Sequence, residues 1–136
     1  MDQSSNGSPD FNPTSAEFRQ ALLAVRDATA NPDTLSLWVK LLKFQYHRPN
    51  HKITAGELAE AAGLKGYSEA NLRYGYLAHA VAERLRYTPP NRRHGDKRPM
   101  WWMALSTGEV RDDEDQFFEF TMHPALAEAL SAMRWV

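Results

Sequence analysis

Apolar residues recur at helical spacing through most of this chain, and the pattern switches to alternation only near its end. Phe18, Ala21, Leu22 and Val25 lie three or four residues apart, which predicts an amphipathic helix. Thr14 followed by Glu17 is a capping-box signature for its start, and Asn31-Pro32 marks its end, since the residue before a proline disfavours helix. Leu35, Trp38, Leu41 and Leu42, with Gln45 continuing the line, predict a second helix, capped by Asp33 or Thr34 and stopped at Pro49. A second capping box, Thr54 with Glu57, opens a short third helix with Leu58, Ala61 and Ala62 on its apolar side and Gly63 as its C-terminal cap. Leu64 points inward and Lys65-Gly66 supply a turn. Ser68 then caps the longest helix, which runs to about Tyr87 before Pro89-Pro90. About 19 residues at about 1.5 Å each make it about 28 Å long.

Beyond the prolines the period changes. MWWMAL (100–105) and FFEFTM (117–122) read as strands, with Trp101, Met103 and Leu105 on one side of the first and Phe118, Phe120 and Met122 on one side of the second. STGEVRDDEDQ joins them as the tip of an antiparallel ribbon. Pro124 starts a last helix with Leu126, Ala127, Leu130 and Met133 inward and Trp135 near its end. The fold class expected is mainly α with a two-stranded antiparallel ribbon, a winged-helix-like α+β arrangement. Residues 1–13, polar and holding two prolines, read as a flexible lead, and 14–136 as a single winged-helix-like domain.

The longest helix has two unlike faces. At about 100° per residue, Ala70, Tyr74, Leu77, Ala78, Val81 and Leu85 form a stripe for the core. Opposite lie Leu72, Gly75, Tyr76, His79, Glu83 and Arg86, with Arg73 on the border. A glycine inside a helix costs about 1 kcal/mol against alanine. It also lets something approach the backbone closely, whether a DNA edge, a partner protein or the chain's own first helix.

Charge sharpens this picture. The chain has 136 residues and a net charge of −1, but the stretch from Lys40 to Arg98 carries 12 Lys/Arg against five Asp/Glu, a balance of +7. Both flanks are acidic. Such asymmetry points to a nucleic-acid partner. On an open outer face, Asn71, Arg73 and Tyr76 are the candidates for base or phosphate contact, because Asn pairs bidentately with adenine and Arg with guanine. Lys65 and Ser68, beside the helix N-terminus, suit a phosphate, and the loop cations Arg92, Arg93, Lys97 and Arg98 add sequence-independent attraction. One feature runs against DNA: the ribbon tip carries Asp112, Asp113, Glu114 and Asp115. A wing that tracks phosphates should be basic. The tip is either a solvated loop or a carboxylate cluster that imitates phosphates toward a protein partner, with Leu72 and Tyr76 as the apolar part of that surface.

No enzyme chemistry emerges. The chain has no cysteine, which excludes disulfides, thiolate zinc sites and a cysteine nucleophile and fits a reducing compartment. His47 and His51 have a metal-like spacing, but Pro49 between them breaks the helix that spacing needs. Phosphate-loop, dinucleotide and nucleophile-elbow motifs are absent, so neither a cofactor nor a metal is expected. No apolar run approaches the roughly 20 residues that span a bilayer, and the N-terminus is not a signal peptide, so the expected location is the cytoplasm.

The stretch ITAGELAEAAGLKGYSEANLRYGYLAHAVAERL, about a quarter of the chain, resembles bacterial helix-turn-helix modules of the kind that accompany HNH-type nucleases. More distantly it is similar to the DNA-binding half of alkylguanine transferases. The reactive cysteine of those transferases has no counterpart here, nor has an HNH motif, so neither activity carries over. The resemblance implies a DNA-facing ancestry for Thr54 to Leu85. The sequence thus leads to a non-enzymatic winged helix-turn-helix that binds duplex DNA, or to a small phage-type inhibitor or adaptor that engages a protein of a nucleic-acid-processing or defence complex.

Overall fold

A computed structural model describes residues 11–91, 99–108 and 118–136. The loop cations Arg92, Arg93, Lys97 and Arg98 and the acidic run Asp112, Asp113, Glu114 and Asp115 lie outside the described residues.

Helix α1, Ser15–Ala28, opens on the reciprocal capping box: the Glu17 N–H donates to the Thr14 hydroxyl at 3.1 Å and the Thr14 N–H to the Glu17 carboxylate at 2.8 Å. Helix α2, Pro32–Tyr46, is capped two or three residues earlier than the sequence suggests. The Asn31 side-chain oxygen, rather than Asp33 or Thr34, accepts from the Asp33 and Thr34 N–H groups, and Pro32 takes the first helical position, where a missing N–H costs nothing. Helix α3, Ala55–Ala62, starts at the Thr54/Glu57 capping box and ends at Gly63, whose φ of +72° is the left-handed cap that glycine adopts freely. It buries Ala55, Leu58 and Ala59, and Ala61 is exposed. Helix α4, Tyr67–Leu85, is capped by Gly66 and not by Ser68, and no side chain closes its N-terminus. Helix α5 is Pro124–Met133.

The sheet has three strands, one more than expected. Strand β1, Lys52–Thr54, precedes α3; β2 is Ser106–Gly108 and β3 is Glu119–Met122. β3 is central and antiparallel to both neighbours, with Ile53 opposite Phe120 and Thr107 opposite Thr121. The succession α2–β1–α3–α4–β2–β3, with sheet order β1-β3-β2, is winged-helix-like, and α1 and α5 pack against one another.

Residues 100–105 are not a strand. Trp101–Ala104 is a 3-10 turn, closed by Met103 N–H to the Met100 carbonyl and Leu105 N–H to the Trp102 carbonyl, both 3.0 Å. The alternation of Trp101, Met103 and Leu105 fails because Ala104, Leu105 and Ser106 are buried in succession, while Trp101 lies on α4 and Trp102 on Phe118 and Phe120. The strand begins where a connection was expected. Gly108 is needed there, since a Cβ would sit 2.5 Å from the Glu119 carbonyl oxygen. In β3 the alternation holds, and Phe118, Phe120 and Met122 are all buried.

One core joins the elements: Phe18 and Leu22 of α1, Leu41 and Leu42 of α2, Tyr74 and Leu77 of α4, and Leu126 and Leu130 of α5 are all almost fully buried. Packing starts ahead of Thr14. Phe11 stacks on Tyr87 with ring centroids 3.7 Å apart and meets Phe18 edge-on.

Candidate functional site

α3 and α4 are joined by the short Gly63–Gly66 turn. α4 buries Ala70, Tyr74, Leu77, Ala78, Val81 and Ala82, and α1 packs against this helix within the common core. The other face stays open. Leu72 is 50% and Tyr76 52% exposed, and with Tyr67 they are the exposed large apolar side chains among the described residues; all three belong to α4. A Cβ added at Gly75 would meet nothing within 4 Å. Neither α1 nor any other described segment covers it. Further along the same face His79 stacks on Trp101, with centroids 3.8 Å apart and planes 11° from parallel, so the 3-10 turn borders the open patch.

The charged candidates are less free than the sequence suggests. Arg73 lies back toward Glu69 at 3.5 Å, and its Nε is buried without a hydrogen-bond partner among the described residues. Glu69 also accepts the Lys65 backbone N–H at 2.9 Å. That hydrogen bond first, and the Arg73 guanidinium beside it, hold the Glu69 carboxyl below its ordinary value. A carboxylate therefore sits among Lys65, Ser68 and Arg73, the residues expected to receive phosphate. Lys65, Ser68 and Tyr67 are exposed, and Asn71 is half-buried at the edge of the open face. The structure thus gathers Lys65, Ser68, Asn71, Leu72, Arg73 and Tyr76 on one helix and its preceding turn, with an apolar centre and a charge-balanced end.

Beneath the open face is a polar cluster that sequence reasoning did not find. The Tyr74 hydroxyl lies 2.6 Å from both Gln45 Oε1 and Ser106 Oγ, and Gln45 Nε2 donates to Ser106 Oγ at 3.0 Å and more weakly to the Phe120 and His51 carbonyls at 3.3 Å. All three side chains are buried. Burial pushes the Tyr74 hydroxyl far above its ordinary range, so it stays a neutral hydrogen-bonding group. Gln45 on an otherwise apolar face was the available signal; its partners come from distant parts of the chain.

Elsewhere, an open groove of about 790 Å³ runs between the sheet and α5, lined by Tyr46, Asn50, His51, Thr121, His123 and Glu128 among others. His51 donates from Nδ1 to the Tyr46 carbonyl at 2.7 Å and stacks on that ring. His123 donates from Nε2 to the Met103 carbonyl at 2.8 Å, and burial lowers its pKa. Among the described residues no three His, Cys, Asp or Glu side chains converge as metal ligands, and no helix is long and apolar enough to cross a membrane. No family model, curated protein or solved structure matches the chain.

Proposed function

We propose that the protein is a non-enzymatic DNA-binding module that docks duplex DNA on the outer face of α4. The observation that carries this reading is the uncovered stretch Leu72–Gly75–Tyr76 on α4, which follows α3 across a short turn as a recognition helix would. Lys65, Arg73 and the sequence cations Arg92, Arg93, Lys97 and Arg98 supply the attraction to phosphate. Titration of a labelled duplex across a salt series tests it. Binding weakens with a slope of several ion equivalents, and Arg73→Ala and Arg93→Ala each reduce the affinity and lower the slope by about one. Undetectable or salt-insensitive binding overturns the reading.

A second reading is favoured by one observation: the centre of the open face is apolar, which suits a protein surface as well as a groove. In it, Leu72 and Tyr76 together with Asp112, Asp113, Glu114 and Asp115 engage a protein of a nucleic-acid-processing or defence complex, the carboxylates standing in for phosphates. Its test is co-purification with that partner, lost on neutralising the four acidic residues. Unchanged complex formation eliminates the phosphate-imitation version.

A further inference from the structure

Gly75 and Gly108 both lie in regular structure and differ in what they do for the fold. Gly108 in β2 is required, because a Cβ there collides with the Glu119 carbonyl and the Phe118 ring. Gly75, in the interior of a 19-residue helix, is required by nothing: a Cβ meets no atom within 4 Å, and its φ is not in the left-handed region. Helix propensity alone favours alanine at such a site. Among the described residues no contact explains this local weakness, which lies beside the exposed Leu72 and Tyr76.

The chemistry around Gly75 is equally selective. Leu72 and Tyr76 flank it, half exposed, one turn apart. Leu72 makes no hydrogen bond, and a tyrosine hydroxyl cannot provide the paired donor and acceptor that read a purine edge. Arg73, the side chain best suited to guanine, is drawn back to Glu69. The major groove of DNA offers an apolar side chain one distinctive feature, the C5-methyl of thymine. The stretch Lys40 to Arg98 that holds this helix has a balance of +7, 12 Lys/Arg against five Asp/Glu, which complements a polyanion.

Resting on the DNA-binding reading, we infer that the Leu72–Gly75–Tyr76 face is a thymine-methyl reader: Gly75 lets the floor of the major groove come down to the α4 backbone, and Leu72 and Tyr76 close over thymine methyls. The preferred ligand is duplex DNA rich in A·T pairs, recognised through its methyl groups rather than through bidentate hydrogen bonds.

The test uses the full chain and two duplexes of equal length, alternating A·T and alternating A·U, which differ by the thymine methyl. Replacing thymine with uracil weakens binding about fourfold for each methyl contacted. Leu72→Ala removes most of that discrimination. Gly75→Ala raises the melting temperature by about 3–5 °C while lowering affinity for the A·T duplex about tenfold, as an added methyl in a filled contact does. Equal, salt-dependent affinity for the two duplexes overturns the methyl reading and leaves DNA binding standing. A Gly75→Ala variant that is more stable and binds as well as the parent overturns the close approach. Absence of salt-dependent binding to either duplex removes the DNA reading itself, and this inference with it.

Discussion

Tyr74 and Tyr76 are two residues apart on one helix and live in opposite worlds. Tyr74 is fully buried, its hydroxyl held by Gln45 and Ser106 and its ring stacked on Phe120 at 4.6 Å. Tyr76 is half exposed, beside a glycine whose missing side chain faces open space. Two steps around a helix turn a side chain through about 200°, enough to carry it from core to surface. The inner face is over-determined: the Tyr74 hydroxyl has two partners, and Ala70, Leu77, Ala78, Val81 and Ala82 are buried around it. The outer face is under-determined by the fold. Residues that a structure does not need for itself are where its dealings with other molecules are found.

The sharpest way to break this contrast is to truncate both rings. Tyr74→Ala opens a cavity and strands two polar partners, and should cost about 3–5 kcal/mol in chemical denaturation. Tyr76→Ala should change stability by less than about 0.5 kcal/mol. Comparable losses at the two sites would mean that the outer face is part of the packed structure after all. A subtler substitution, Tyr74→Phe, keeps the ring and deletes one hydroxyl. With Gln45 Oε1 left without that donor, it should cost about 1–3 kcal/mol.

The smallest effect concerns pH and the inner side of the molecule. Burial holds His123 below its ordinary value, so its neutral form is favoured in the folded state. A depressed folded pKa means that the unfolded chain takes up the proton first. The contribution is fully present above about pH 6.5, the ordinary histidine value, and is lost as pH falls from there through the folded value. Melting temperatures between pH 7.5 and 5 should therefore decline, and His123→Gln, less stable throughout, should flatten that decline. Tyr76→Ala should leave its slope unchanged.

Local chemistry was the legible part of this chain. Thr14 with Glu17, Thr54 with Glu57, Gly63 and Pro124 mark helix ends because their interactions lie within a few residues. The core stripe of α4 follows from its period. The misread strands share a cause in long-range contact. Trp101 and Trp102 alternate like strand residues, yet they form a turn because His79 and the two phenylalanines of the β3 end offer them aromatic surfaces. Lys52–Thr54 is too short to announce itself and becomes a strand only through pairing with β3. Of the site, the helix and its outer residues were legible. The Glu69 contacts that draw Arg73 back, and the open space over Gly75, were not, because periodicity assigns a face without saying what covers it.

The buried Gln45–Tyr74–Ser106 cluster has one more consequence. Leucine and alanine surfaces let a helix slide or roll by a fraction of an ångström at little penalty, whereas hydrogen bonds of 2.6 Å do not. Two such bolts clamp α4 to α2 and to the sheet, and they resist rocking of the helix as a visitor arrives. A stiff platform surrenders little freedom on contact, and the grip of its outer side chains goes into holding on instead of into getting ready.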